Sequence, residues 1–368
     1  MSDLATTVTV LDACGRAHVP VLLLSDPGVG KSSLVRGVAD TEGVPCETVL
    51  GSVREPADVA GLPVVGDGGA VHLAPPAWAR RLCDADAGWL FLDELTTCPP
   101  AVQAAMLTVS LDRIVGETPL PNDVRVVAGA NPPDRAADGW ELSPPLANRF
   151  CHIEFRPSVD EWLDGMSVGW SAPPASRATT PDPARVEAVK SSILGFIRVR
   201  PELLHDFPRD AAATGGPWPS RRSWAMLAAA LANVRADDAA ARQAITYGLV
   251  GEGTGTEFLD WCDKSDLPDP ADVTADPSIV DWNDRPDRVW AILSGVVSLA
   301  ASRGSQAAWI EAWKPLLAAA DAGAPDVAAA AARPLGRARP ANARVPAAVR
   351  KHFAPVLAAA GLSKEDAA

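Results

Sequence analysis

Five short apolar runs punctuate the first 165 residues, and between them the apolar positions recur at helical rather than alternating spacing. The runs are Val19–Ser25, Glu47–Gly51, Gly88–Leu92, Val124–Gly129 and Cys151–Phe155. Stretches such as VPVLLLS, GWLFLD and VRVVAGA lack a polar alternation, which is the pattern of strands covered on both faces. Strands separated by helical segments predict a parallel sheet with crossover helices, an α/β domain over residues 1–165. The first, third and fourth runs end in residues capable of chemistry, and in open α/β sheets that carboxyl rim is where ligands sit.

From Arg156 to about Asp182 the chain is rich in Pro, Ser and Gly, which predicts a connector with one short helix. Helical spacing with Pro and Gly breaks follows, including helices over Ser223–Val234 and Asp238–Leu249, and residues 183–265 are expected to form a small helical lid. A third region, 268–368, holds predicted helices over Val289–Arg303 and Gln306–Ala322 and an Ala/Pro/Arg tail. No repeat of fixed period occurs, and helix propensity accounts for the run Ala328–Ala332.

The first strand runs directly into SDPGVGKSS, Ser25 to Ser33, and then into LVRGVAD, which suits a helix. The order strand, glycine-rich turn, helix gives this motif its meaning: the backbone of Asp26, Pro27, Gly28, Val29 and Gly30 can wrap an anion, exposing amides and a positive helix end. Lys31 is placed to meet the β and γ phosphates and Ser32 to put its hydroxyl on magnesium, with Ser33 helping the helix start. The pattern usually opens on glycine, where this chain has Ser25. About sixty residues after Lys31, the buried run GWLFLDEL ends in two carboxylates. Acids there are costly unless they serve a cation or a proton transfer: Asp93 is expected to hold magnesium and Glu94 to deprotonate the attacking water.

Composition narrows the setting. A formal charge of −13 argues against broad attraction to nucleic acid or anionic lipid. Cys14, Cys46, Cys83, Cys98, Cys151 and Cys262 are scattered, with no CxxC pair, and read as thiols in a reducing cytosol. Neither a basic secretory start nor a long apolar span is present, so a cytoplasmic chain with no membrane association is expected.

With both motifs in hand, the chain resembles the AAA+ superfamily, and within it the MoxR and dynein-related branch that carries an insert in its second helix. The likeness runs from about Val19 to Leu249. It implies a P-loop NTPase fold, a three-layer αβα domain followed by a helical lid and further C-terminal helices, binding ATP and Mg2+. Asn131, in VRVVAGANPPD, matches the family's first sensor, where an amide can bond both the nucleophilic water and the γ phosphate. Arg149, in LSPPLANRF, matches the arginine finger supplied to a neighbouring subunit, with local pairing to Glu154 as the purely structural alternative. In WPSRRSW, Arg222, with Arg221 beside it, resembles the second sensor. REPADVAGLPVVGDGGAVHLAPPAWARRL resembles the helix insert, with a hairpin turn at Gly66, Asp67, Gly68 and Gly69, and RIVGETPLP suggests a second short hairpin. The resemblance implies a homo-oligomeric ring, expected to be a hexamer, whose hydrolysis remodels or matures partner proteins, among them a von Willebrand factor A domain protein. Two rivals remain at this stage: a GTP- or ATP-driven DNA restriction motor, suggested by the Asn131–Asp134 string, and a scaffold that binds nucleotide without turnover.

Overall fold

The computed structural model describes residues 3–66, 68–132, 142–169, 172–265, 267–341 and 343–359. Asp67 of the expected turn, and Pro133 and Asp134 of the NPPD string, lie outside the described residues. Nine strands are present among the described residues: β1 Val21–Leu24, β2 Cys46–Leu50, β3 Leu62–Val65, β4 Val71–Ala74, β5 Ala87–Asp93, β6 Ile114–Val115, β7 Thr118–Pro119, β8 Asp123–Ala130 and β9 Cys151–Glu154.

Five of them form one sheet in the order β2-β5-β8-β1-β9. Every pairing in it is parallel, with Leu24 beside Ala130, Leu92 beside Ala128 and Leu50 beside Asp93. These are the five apolar runs of the sequence, and the inner strands are buried as strands covered on both faces require, with Leu22, Leu90, Leu92, Val124 and Ala128 joining Met106 and Phe150 in one core cluster, while of the edge strand β2 only Val49 is buried. Because β8 lies between β1 and β5, three strand ends meet along one edge, carrying Ser25, Asp93 and Asn131.

Both expected hairpins are present, β3 against β4 and β6 against β7, each antiparallel. They abut: a Cβ on Gly116 would lie 3.0 Å from Leu73 Cβ, and one on Gly61 3.8 Å from Gly116 Cα. Among its described residues the connector holds one helix, Val159–Val168, closed at its start by a reciprocal Ser158 and Glu161 capping box.

The chain forms two compact units, one made of residues 1–180 and 205–255, the other of 181–204 and 256–368. The segment 183–265, expected as a single lid, is thus shared between them. Helix Ala239–Val250 joins the first unit because Gly248 permits close approach to β9, where a Cβ would lie 2.5 Å from His152 O. Helix Pro183–Val199 joins the second, where Gly195 lies so near Ala291 and Trp261 that a Cβ would sit 2.6 Å from each. The run Gln306–Ala322 divides at Ala312 into Gln306–Glu311 and Trp313–Asp321, since Pro315 has no amide to continue the ladder.

Candidate functional site

Beyond Leu24 the chain leaves the sheet edge and turns through Gly28 and Gly30, whose φ values of 79° and 100° lie in the left-handed region. No atom lies within 4 Å of a Cβ built at either position, so glycine serves the backbone conformation rather than packing. Gly30 is the N-cap of helix Lys31–Glu42 and supplies no side-chain acceptor. Some helices elsewhere in the chain are closed by a side chain, as by Asp3, Ser158, Asp182 and Ser220, and others are not. Here the first-turn amides and the positive end of the helix remain open to an anion.

Lys31 is only 9% exposed. Its ammonium donates to Ser25 O at 3.2 Å, Ser25 Oγ at 3.0 Å and Asn131 Oδ1 at 2.9 Å. Burial pulls its pKa below the ordinary lysine value, against the opposing pull of Asp93, Asp26 and Glu94. Ser25, the departure from the usual glycine, therefore holds the lysine in place. Ser32 Oγ donates to Asp93 Oδ2 at 2.9 Å, across 61 residues of sequence.

The acid pair is shaped by two features that the sequence reading missed. Glu94 has φ 59°, left-handed backbone for a residue with a side chain, and its amide donates to Asp93 Oδ1 at 2.9 Å. Gly129 on the neighbouring β8 makes room for the same carboxylate: a Cβ there would lie 2.7 Å from Asp93 Oδ1 and 2.8 Å from Phe91 Cζ. Together the loop, Lys31, Asp93, Glu94 and Asn131 line a cleft of about 340 Å³.

Neither Arg149 nor Arg222 lines that cleft. Arg149 Nη1 donates to Pro145 O at 2.8 Å, its Nε is buried without a hydrogen-bond partner, and its pKa is lowered by burial and then by the like charge of Arg222. Glu154 pairs instead with Arg156 at 3.5 Å. A further residue unmarked in the sequence reading, Asn148, ties the Arg149 turn to the segment before Arg222, donating to Trp218 O at 2.8 Å and accepting from Ser220 Oγ at 2.6 Å.

The donor set fits a phosphate chain carrying a divalent ion. An uncapped helix end and a lysine face it, while one hydroxyl and one carboxylate sit together where a hard cation would take them with water and phosphate oxygens. Among the described residues no group of three or more His, Cys, Asp or Glu could hold a metal alone, and no helix is long and apolar enough to cross a membrane.

Residues 20–150 match the family described as AAA domain, dynein-related subfamily. The transcriptional regulatory protein XylR of Pseudomonas putida is 33% identical over 129 residues, 33% of this chain and 23% of that one. Protein MoxR of Methylorubrum extorquens is 28% identical over 211 residues, 54% of this chain and 56% of that one. The chain thus spans about a quarter and just over half of these two relatives. A solved structure of a candidate ATPase from Cytophaga hutchinsonii superimposes with a TM-score of 0.38 at 16% identity, over 60% of this chain and 70% of that one. The match over residues 20–150, which spans the loop and the acid pair, makes that segment similar to an AAA domain of the dynein-related subfamily.

Proposed function

We propose that this chain hydrolyses ATP with magnesium in a ring of identical subunits and uses the cycle to remodel a protein partner. One observation carries the reading: Lys31, Ser32, Asp93 and Asn131, drawn from three separate stretches of chain, are linked by hydrogen bonds of 2.9 Å at one sheet edge beside an uncapped helix. Mg-ATP, when bound, supplies the cation and the phosphoryl group that passes to water. Gly28, Val29 and Gly30 offer backbone amides to phosphate oxygens, and Lys31 adds a desolvated positive charge. Ser32 and Asp93 hold the metal side. Glu94, whose backbone N–H donates to Asp93 Oδ1, orients the attacking water and takes its proton, while Asn131 holds that water in line. Arg149 lies outside the cleft of its own chain, as a finger serving a neighbouring subunit requires, and Arg222 acts beside it.

The exposed β3–β4 hairpin, with Val65 70% and Val71 64% exposed, is the surface offered to a partner. Relatives in this branch motivate a von Willebrand factor A domain protein, a cytoplasmic setting and a hexamer. The test compares magnesium-dependent phosphate release from wild type and Glu94→Gln, with nucleotide binding followed by a fluorescent analogue. Turnover lost in the variant while binding persists supports the reading. A wild type that binds ATP yet never releases phosphate, at any protein concentration, is a scaffold instead. GTP in place of ATP, with and without DNA, separates a restriction motor. Affinity purification of ATP-loaded Glu94→Gln identifies the partner.

A further inference from the structure

The short turn 147–149 is fastened from two directions. From the sheet, His152 of β9 donates through Nε2 to Ala147 O at 2.8 Å. From the helical side, the Asn148 side chain, 5% exposed, is spent entirely on the segment that opens helix Arg221–Ala232. Its Nδ2 donates to Trp218 O and its Oδ1 accepts from Ser220 Oγ. A carbonyl can only accept, so the Trp218 oxygen fixes which way the amide faces. Ser220 is also the N-cap of that helix, its Oγ accepting from Ser223 N at 3.0 Å, and Ser223 Oγ donates to the same Trp218 carbonyl at 3.1 Å. Asn148 is therefore bonded into the helix start itself.

Arg149 follows Asn148 directly, and Arg222 lies two residues beyond Ser220. The two guanidinium groups are near enough for Arg222 to be the second cause, after burial, of the lowered pKa of Arg149. Among the described residues no carboxylate forms an ion pair with either of them. Holding two like charges together is unfavourable, the carboxylate of Asp112 opposes the effect on Arg149 only in part, and an anion binding between or across the two arginines would relieve it.

We propose that Asn148 is a positioning residue that makes Arg149 and Arg222 one unit, so that both cations are presented to a nucleotide phosphate together. This rests on the hydrolysis reading given above. Asn148 itself touches no substrate; it acts through the two arginines, and it moves the Arg149 turn whenever the start of helix Arg221–Ala232 moves.

The test uses the full chain with Asn148→Ala, Asn148→Asp, Arg149→Ala and the double variant Asn148→Ala/Arg149→Ala. Asn148→Asp keeps the acceptor for Ser220 and loses the donor to Trp218, and it carries the test if the alanine variant does not fold. Asn148→Ala should lose about 10- to 100-fold in kcat with KM for ATP changed by less than about threefold, as displacement of a transition-state cation predicts. The double variant should be no slower than Arg149→Ala alone within about twofold, because the arginine pair works as one unit and that unit is already broken when Arg149 is gone. In nucleotide-free protein, amide exchange in the Arg149 turn and at Ser223 should rise together by about tenfold in Asn148→Ala, while helix Lys31–Glu42 is unaffected. A wild-type kcat in Asn148→Ala, losses that multiply with those of Arg149→Ala, or unchanged exchange at Ser223 would each overturn the proposal while the hydrolysis reading stands. A wild type without turnover removes that reading first, and this one with it.

Discussion

His152 makes the stability of the first unit acid-sensitive by an amount that can be worked out. The ring is buried on β9, Nε2 donates to Ala147 O, and Nδ1 is buried without a partner. Burial pulls its pKa from 6.5 down to about 4, with the Ala147 bond opposing. The folded form therefore binds fewer protons than the unfolded form. The stability is fully present above about pH 6.5, is lost as pH falls toward 4, and changes no further below that. The whole span is worth about 3 kcal/mol, of which about 1 kcal/mol disappears between pH 7 and 5.5. Urea unfolding of wild type and His152→Leu, with the transitions of the two units fitted separately, measures it. The difference between the two proteins is the quantity to follow, since titration of the 46 acidic residues cancels in it and the sequence pI near 4.9 limits work at lower pH. A difference that stays constant within about 0.3 kcal/mol from pH 7.5 to 5.5 would refute the reasoning, because a neutral buried imidazole must cost free energy to charge.

Three further outcomes are expected. Lys31→Met should abolish nucleotide binding in a fluorescent-analogue titration and yet raise the melting temperature of the nucleotide-free protein, because it removes a desolvated charge whose hydrogen bonds all go to neutral oxygens and which nearby carboxylates offset only in part; a lower melting temperature would contradict this. Gly129→Ala should destabilise the first unit by about 1–3 kcal/mol and impair magnesium-dependent turnover, since the added methyl meets Asp93 Oδ1 and the Phe91 ring; wild-type magnesium dependence would show that Asp93 does not need that space. Arg149→Ala should bind ATP while keeping only a small residual rate of hydrolysis, and regain turnover when mixed with Glu94→Gln subunits, whereas full activity of the purified variant would remove the shared site.

The sequence disclosed what is fixed by neighbours a few residues apart. Buried strands are recognisable as unbroken apolar runs, so the five members of the sheet and the polar residues at their ends could be named before their order was known. The first helix, Leu4–Arg16, went unmarked because Thr6, Thr7, Val8, Thr9 and Val10 favour strands locally. In the fold Asp3 caps it, Thr7 and Thr9 return their hydroxyls to backbone carbonyls, and its buried Asp12 meets Arg125 of β8 at 3.1 Å. Gly129 reads as one more small residue in an apolar run until Asp93 is seen beside it, and Asn148 reads as a turn residue until its partners are found 70 and 72 positions away. The identity of a catalytic group is thus written next to it in the chain, while the residues that aim it belong to other strands and helices. Substitutions at Gly129 and Asn148 consequently test the geometry of the site, where substitutions at Lys31 and Glu94 test only its chemistry.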